Sequence, residues 1–176
     1  LTPATGSAAT VAQADVSELI LNSITLIADA VDISGETVTG TGTVVVTNIE
    51  ANFDVDLGNI STTAVTATID TTGGVTFLAT ADFGTTAITV VGVENVTTDK
   101  VAFQEGADLS GATFTVQSGA LLELTVDQMT LVSGTATIVG EGDVRVVIPY
   151  ETVNADSISA LVKVDLEGGT LTFDLA

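Results

Sequence analysis

Gly140-Glu141-Gly142-Asp143-Val144-Arg145-Val146 is preceded by Leu121-Leu122-Glu123-Leu124-Thr125-Val126-Asp127 and by Ser133-Gly134, and this outline is written twice in the chain. The earlier copy is Gly40-Thr41-Gly42-Thr43-Val44-Val45-Val46, preceded by Ile24-Thr25-Leu26, Asp29 and Ser34-Gly35. The offsets are 127 − 29 = 98 for the aspartates, 133 − 34 = 99 for the serines and 140 − 40 = 100 for the glycines, so each of two turns gains one residue. A fainter echo sets Phe53-Asp54-Val55-Asp56-Leu57-Gly58 against Leu161 to Gly168, at 165 − 56 = 109. A strand–turn–strand unit used twice at this spacing predicts a two-sheet β domain with related halves. The alternative is chance alignment in a chain so rich in Val, Thr and Gly.

Outward from that unit, period-two alternation recurs. Phe53, Val55 and Leu57 oppose Asn52, Asp54 and Asp56; Val65, Ala67 and Ile69 oppose Thr66, Thr68 and Asp70. Leu122, Leu124 and Val126 oppose Glu123, Thr125 and Asp127, and Leu171, Phe173 and Leu175 oppose Thr172 and Asp174. One apolar and one polar face per strand points to antiparallel sheets, each with one buried side. Turn signals every ~8–12 residues fit a sandwich or barrel. With no rung repeat of ~20–30 residues in view, a parallel solenoid is disfavoured. The expected fold is therefore all-β, an antiparallel two-sheet β-sandwich of jelly-roll type, with internal duplication as an option. It would occupy residues 17–176 behind an extension at 1–16, with a short helical turn near Asp15 to Leu21.

Composition supports strands. The hydrophobic share is 45% but aromatics make up only 4%, so the core is built from Val, Ile, Leu and Ala. β-branched side chains suit a pleated surface and lose rotamer freedom in a helix. A chain of this length buries roughly 70% of its unfolded surface and needs no staples. It has none, since Cys is absent.

Three Lys and Arg stand against 23 Asp and Glu, a net charge of −20. Nucleic acid is excluded as a partner, because binding it requires cations that displace counterions from phosphate. Anionic membrane surfaces are excluded for the same reason, and no apolar run reaches the ~18 residues of a membrane helix. The acidity fits either divalent-cation binding or simple self-repulsion that keeps sheet edges apart.

Catalytic chemistry is argued by what is missing. Without His or Cys there is no imidazole base, no thiolate and no His-ligated zinc. Asp70-Thr71-Thr72-Gly73 departs from the Asp-Thr-Gly of aspartic proteases by one Thr and reads as a turn. Gly40-Thr41-Gly42 and Gly140-Glu141-Gly142 lack the Lys and helix of a phosphate loop. The expectation is a non-enzyme with no catalytic residue and no resident cofactor. Calcium is the one ion the sequence admits, at Asp29 with Asp32 or Glu141 with Asp143, without an EF-hand spacing. Two sequons, Asn59-Ile60-Ser61 and Asn95-Val96-Thr97, make Asn59 and Asn95 candidate glycosylation sites.

The chain opens at Leu1 among small residues, which fits a mature secreted protein after signal cleavage or simply an internal numbering origin. Taken together, this start, the Thr, Val, Ala and Gly bias, the lack of Cys, the sequons and the β pattern resemble the secreted subunits of archaeal surface filaments. These are the threads and bundling pili that polymerise by donor-strand exchange. The resemblance implies an extracellular homopolymer in which a terminal segment of one subunit completes a sheet of the next by β-augmentation. The favoured donor is the N-terminal tail, with Leu1, Val11 and Val16 as its larger apolar anchors. Thr170 to Ala176 is the other candidate. A surface-layer or cell-wall domain and an adhesin-type binding module are the alternatives, the last disfavoured by one Tyr and no Trp.

Overall fold

The computed structural model describes residues 9–10, 18–50, 54–92, 99–125, 128, 137–148, 163–166 and 171–175. In chain order the elements are β1 (Ala9–Thr10), β2 (Leu19–Leu21), β3 (Thr25–Asp29), a single helical turn α1 (Ala30–Ile33), β4 (Val38–Gly40) and β5 (Thr43–Thr47). Then come β6 (Ile60–Ser61), β7 (Ala64–Asp70), β8 (Val75–Phe77), β9 (Ala87–Val91) and β10 (Val101–Phe103). The last are β11 (Thr113–Val116), β12 (Leu121–Thr125), β13 (Thr137–Gly140), β14 (Asp143–Ile148), β15 (Lys163–Leu166) and β16 (Leu171–Leu175).

These strands coil into a β-solenoid of about 5 turns. Sheet 1 has eight strands in the order β1-β3-β5-β7-β9-β11-β13-β15 and runs along the whole described chain. Sheet 2 has five, β16-β14-β12-β10-β8, and sheet 3 has three, β2-β4-β6. Every described pairing is parallel, for example Leu26 with Val44, Phe114 with Ile138 and Val146 with Phe173. This overturns the antiparallel β-sandwich. Leu19–Leu21 is likewise a strand and not part of a helical turn.

The physical reason for the correction lies in what alternation reports. It registers one wet and one buried face, and a solenoid wall provides both just as a sandwich sheet does. Parallel neighbours need a connection of a dozen or more residues. Here that connection is the rest of the turn, carried through the other walls. Rung lengths along sheet 1 are 44 − 26 = 18, 65 − 44 = 21, 88 − 67 = 21, 114 − 88 = 26, 138 − 114 = 24 and 164 − 138 = 26. Because they are unequal, no single period stands out.

The repeat near 100 residues is a corner that recurs, not two related halves. Gly40 and Gly140 have φ of 113° and 127°, conformations that glycine alone adopts readily. Thr41 and Glu141 donate their backbone N–H to the Leu21 and Val116 carbonyls at 2.9 and 3.0 Å. The first corner leads from sheet 3 into sheet 1, whereas the second leads from sheet 1 into sheet 2. The partners of each strand are its neighbours along the axis.

Inward side chains stack in columns. Ala67, Ile88, Phe114 and Ile138 lie in register from rung to rung, all buried. Where sheets 1 and 2 face each other, Phe77, Phe83, Phe103 and Phe114 form a contiguous cluster. Phe77 stacks on Phe103 at 5.3 Å between centroids and meets Phe83 edge-on at 5.0 Å. Four of the six phenylalanines thus fill the interior, where each large ring buries much apolar area.

A third column closes the middle turns. Asp56, Asp82 and Asp108 pair in isolated parallel bridges, spaced 82 − 56 = 26 and 108 − 82 = 26 residues apart. Each Oδ1 accepts the backbone N–H two residues on, from Gly58, Gly84 and Ser110 respectively. Short carboxylate-anchored turns of this kind let the chain change direction without a long loop.

Candidate assembly surfaces

With no catalytic set expected, the informative places are sheet edges, flat faces and charge clusters. Sheet 1 begins with β1, whose two residues pair in parallel with β3 through Ala9 with Leu26 and Thr10 with Ile27. A piece of the proposed donor tail therefore already lies as an edge strand on its own chain. The anchors Leu1, Val11 and Val16 lie outside the described residues. At the other end, β15 pairs with β13 on one side and has no strand partner on its other side among the described residues. β16, the core of the other candidate donor, pairs with β14 as the last described strand of sheet 2.

The first described turn also carries exposed apolar side chains. Ile20 on β2, Val31 on α1 and Ile27 on β3 are 64%, 62% and 39% exposed. They are the large hydrophobics with that degree of exposure among the described residues, and all three lie at the β1 end.

The outer face of sheet 1 is almost uncharged. Across β3, β5, β7, β9, β11 and β13 the sequences are TLIAD, TVVVT, AVTATID, AITVV, TFTV and TIVG, so only Asp29 and Asp70 are ionisable, each ending its strand, and the terminal strand β15 adds Lys163 and Asp165 in register with Thr137 and Val139. In register, Thr68, Thr89, Thr115 and Val139 form one outer column. Beside it runs Ile27, Val45, Thr66, Ala87 and Thr113.

Both rim carboxylates are held in place. Asp29 Oδ1 accepts a hydrogen bond from Thr47 Oγ1 at 2.6 Å and from Asn48 Nδ2 at 2.8 Å. The Thr47 hydroxyl first, then the Asn48 amide, hold its pKa below the ordinary carboxylate value. Asp70 is lowered the same way by the hydroxyl and backbone N–H of Thr72.

Two of the cations gather at sheet 2. Glu123 accepts from Lys100 Nζ through Oε1 and from Arg145 Nη1 through Oε2, the latter at 3.2 Å. One carboxylate thus binds two of the chain's three cations, tying successive rungs together. Sequence reasoning missed this triad, because residues 100, 123 and 145 become neighbours only once the rung lengths are known. It also missed Gln128, whose buried amide bridges Thr125 N–H to the carbonyls of Phe103 and Gln104.

Neither calcium candidate pair belongs to a larger acidic group among the described residues. Asp29 is engaged by Thr47 and Asn48, and among the described residues no group of three or more acidic side chains is placed to hold a metal. Asn59 lies exposed in the turn before β6, with Ser61 of its sequon exposed too, so a glycan has room there. Asn95 lies outside the described residues. An open depression beside the second glycine corner is lined by Thr115, Val116, Gln117, Ser118, Gly140 and Glu141, with Glu141 its one ionisable group. No described helix is long and apolar enough to cross a membrane.

No protein-family model, curated protein or solved structure matches this chain. The fold defines it as a parallel β-solenoid, and reading its function rests on the surfaces just described.

Proposed function

We propose that the chain is a structural subunit of an extracellular homopolymer, assembled end to end by strand addition along sheet 1. The observation that carries the reading is β1. Two residues of the N-terminal tail occupy the edge of β3, and the far side of β1 is the position where β15 of a preceding copy would pair. Such a contact is head-to-tail, joins unlike surfaces and does not close on itself, so it produces a filament. Main-chain hydrogen bonds supply the affinity, as in other strand additions. The exposed Ile20 and Val31 give that end an apolar surface to cover.

The test is electron microscopy of the purified chain and of a variant lacking residues 1–14, each across a range of salt. The intact chain should form filaments and the truncated chain should stay a folded monomer. Filaments from the truncated chain, or dispersed intact chain at every salt concentration, would refute the reading. A surface-layer role is the second reading, and a planar lattice in the same images would favour it.

A further inference from the structure

We infer that the outer face of sheet 1 is a lateral interface, pairing with the same face of a second copy. Each copy carries −20 charges, so two copies approaching at random repel one another. Across β3 to β13 the carboxylates are Asp29 and Asp70, each at a strand end, and the next is Asp165 on the terminal strand β15, in register with Val139. Face to face is therefore the lateral approach that puts no carboxylate opposite another at the centre.

The chemistry of the face excludes other occupants. Between β3 and β13 its described outer residues include no cation for a polyanion, no aromatic platform for a sugar ring and no carboxylate cluster for a metal. It offers Ile27, Val45, Thr66, Thr89, Thr115 and Val139, β-branched side chains in regular rows. Rows of this kind are self-complementary under a twofold axis, as an isologous contact requires.

Size decides what such a contact can do. Six strands ~4.8 Å apart, each contributing about five residues of ~3.3 Å, span roughly 500 Å² of face per copy, or about 1,000 Å² for a pair. That is just short of the ~1,200 Å² at which specific interfaces become stable alone. Single subunits should pair weakly, whereas a filament repeats the face and gains avidity without new contacts. This avidity rests on the end-to-end reading; the pairing itself does not.

The absence of Cys permits a direct test. Thr89→Cys places a thiol at the middle of the face, and Asn59→Cys places one in a turn away from it. Both are oxidised as the full chain at high protein and salt concentration, then run on a denaturing gel without reductant. The expected result is a disulfide-linked dimer several-fold enriched for Thr89→Cys over Asn59→Cys. Adding Thr66→Glu and Thr115→Glu to Thr89→Cys should abolish that enrichment. Equal cross-linking of both variants, or none from Thr89→Cys, overturns the inference. The cross-link at position 89 reports the face itself and needs no filament, so it stands or falls separately from end-to-end assembly.

Discussion

Gly40 and Gly140 turn two different corners of the solenoid in the same way, and at each a Cβ would lie 2.0 Å from a carbonyl oxygen of the preceding rung, that of Leu21 or Val116. The coil depends on backbone passing over backbone at these points. Gly140→Ala should therefore cost about 3 kcal/mol or more, combining strain at a positive φ with the displaced rung. Gly73 also has a positive φ, 79°, but nothing lies within 4 Å of its missing Cβ. Gly73→Ala should cost only about 1–2 kcal/mol. Chemical denaturation of both variants checks the ranking, and equal losses would contradict the corner geometry.

Thr86 predicts a gain. It is fully buried, and its Oγ1 has no hydrogen-bond partner, while its backbone donates to Phe83 and accepts from Thr113. A buried, unmet hydroxyl costs ~1–3 kcal/mol. Thr86→Val keeps the shape and both backbone bonds, and should stabilise the chain by about 1 kcal/mol. A loss of stability in the same denaturation experiment would mean that the hydroxyl finds a partner in solution.

The Glu123 triad predicts a salt-dependent effect. Glu123→Gln leaves Lys100 and Arg145 without their shared counter-ion on a partly exposed wall. Partial exposure limits the loss to about 1 kcal/mol at low ionic strength. High salt should shrink it, since exposed pairs are screened over ~10 Å at 0.1 M. Urea melts of the variant at low and high salt measure this, and a salt-independent loss would assign Glu123 a packing role instead.

Asp29 predicts a pH effect of known sign. Its folded pKa is depressed, mainly by the Thr47 hydroxyl and then by the Asn48 amide. Its contribution to stability is complete above the unfolded aspartate value of ~3.9 and is lost as pH falls through the lower folded value. Thr47→Val should move the Asp29 titration, followed by carboxyl NMR, upward toward the ordinary value. An unmoved titration would contradict the assigned cause.

The sequence exposed the faces of these strands but not their partners. Val65, Ala67 and Ile69 are buried and Ala64, Thr68 and Asp70 exposed, as the alternation requires. Alternation cannot say whether the neighbour of Val65 is a hairpin partner or a residue a whole turn away, and here it is Val44. A readable signal for the coil did exist. Ala81-Asp82-Phe83-Gly84 and Ala107-Asp108-Leu109 recur at 26 residues, as do Val75-Thr76-Phe77 and Val101-Ala102-Phe103. It covers only the middle turns, because rungs of 18 to 26 residues defeat any fixed period. The Lys100–Glu123–Arg145 triad was hidden for the same reason.

X-ray fibre diffraction from oriented assemblies of the intact chain tests the central claim most directly. Strands lie across the solenoid axis, so end-to-end addition along sheet 1 should place the ~4.8 Å strand-spacing reflection on the meridian, parallel to the filament. Filaments with that reflection on the equator, or intact chain that yields no filaments to orient, would contradict it.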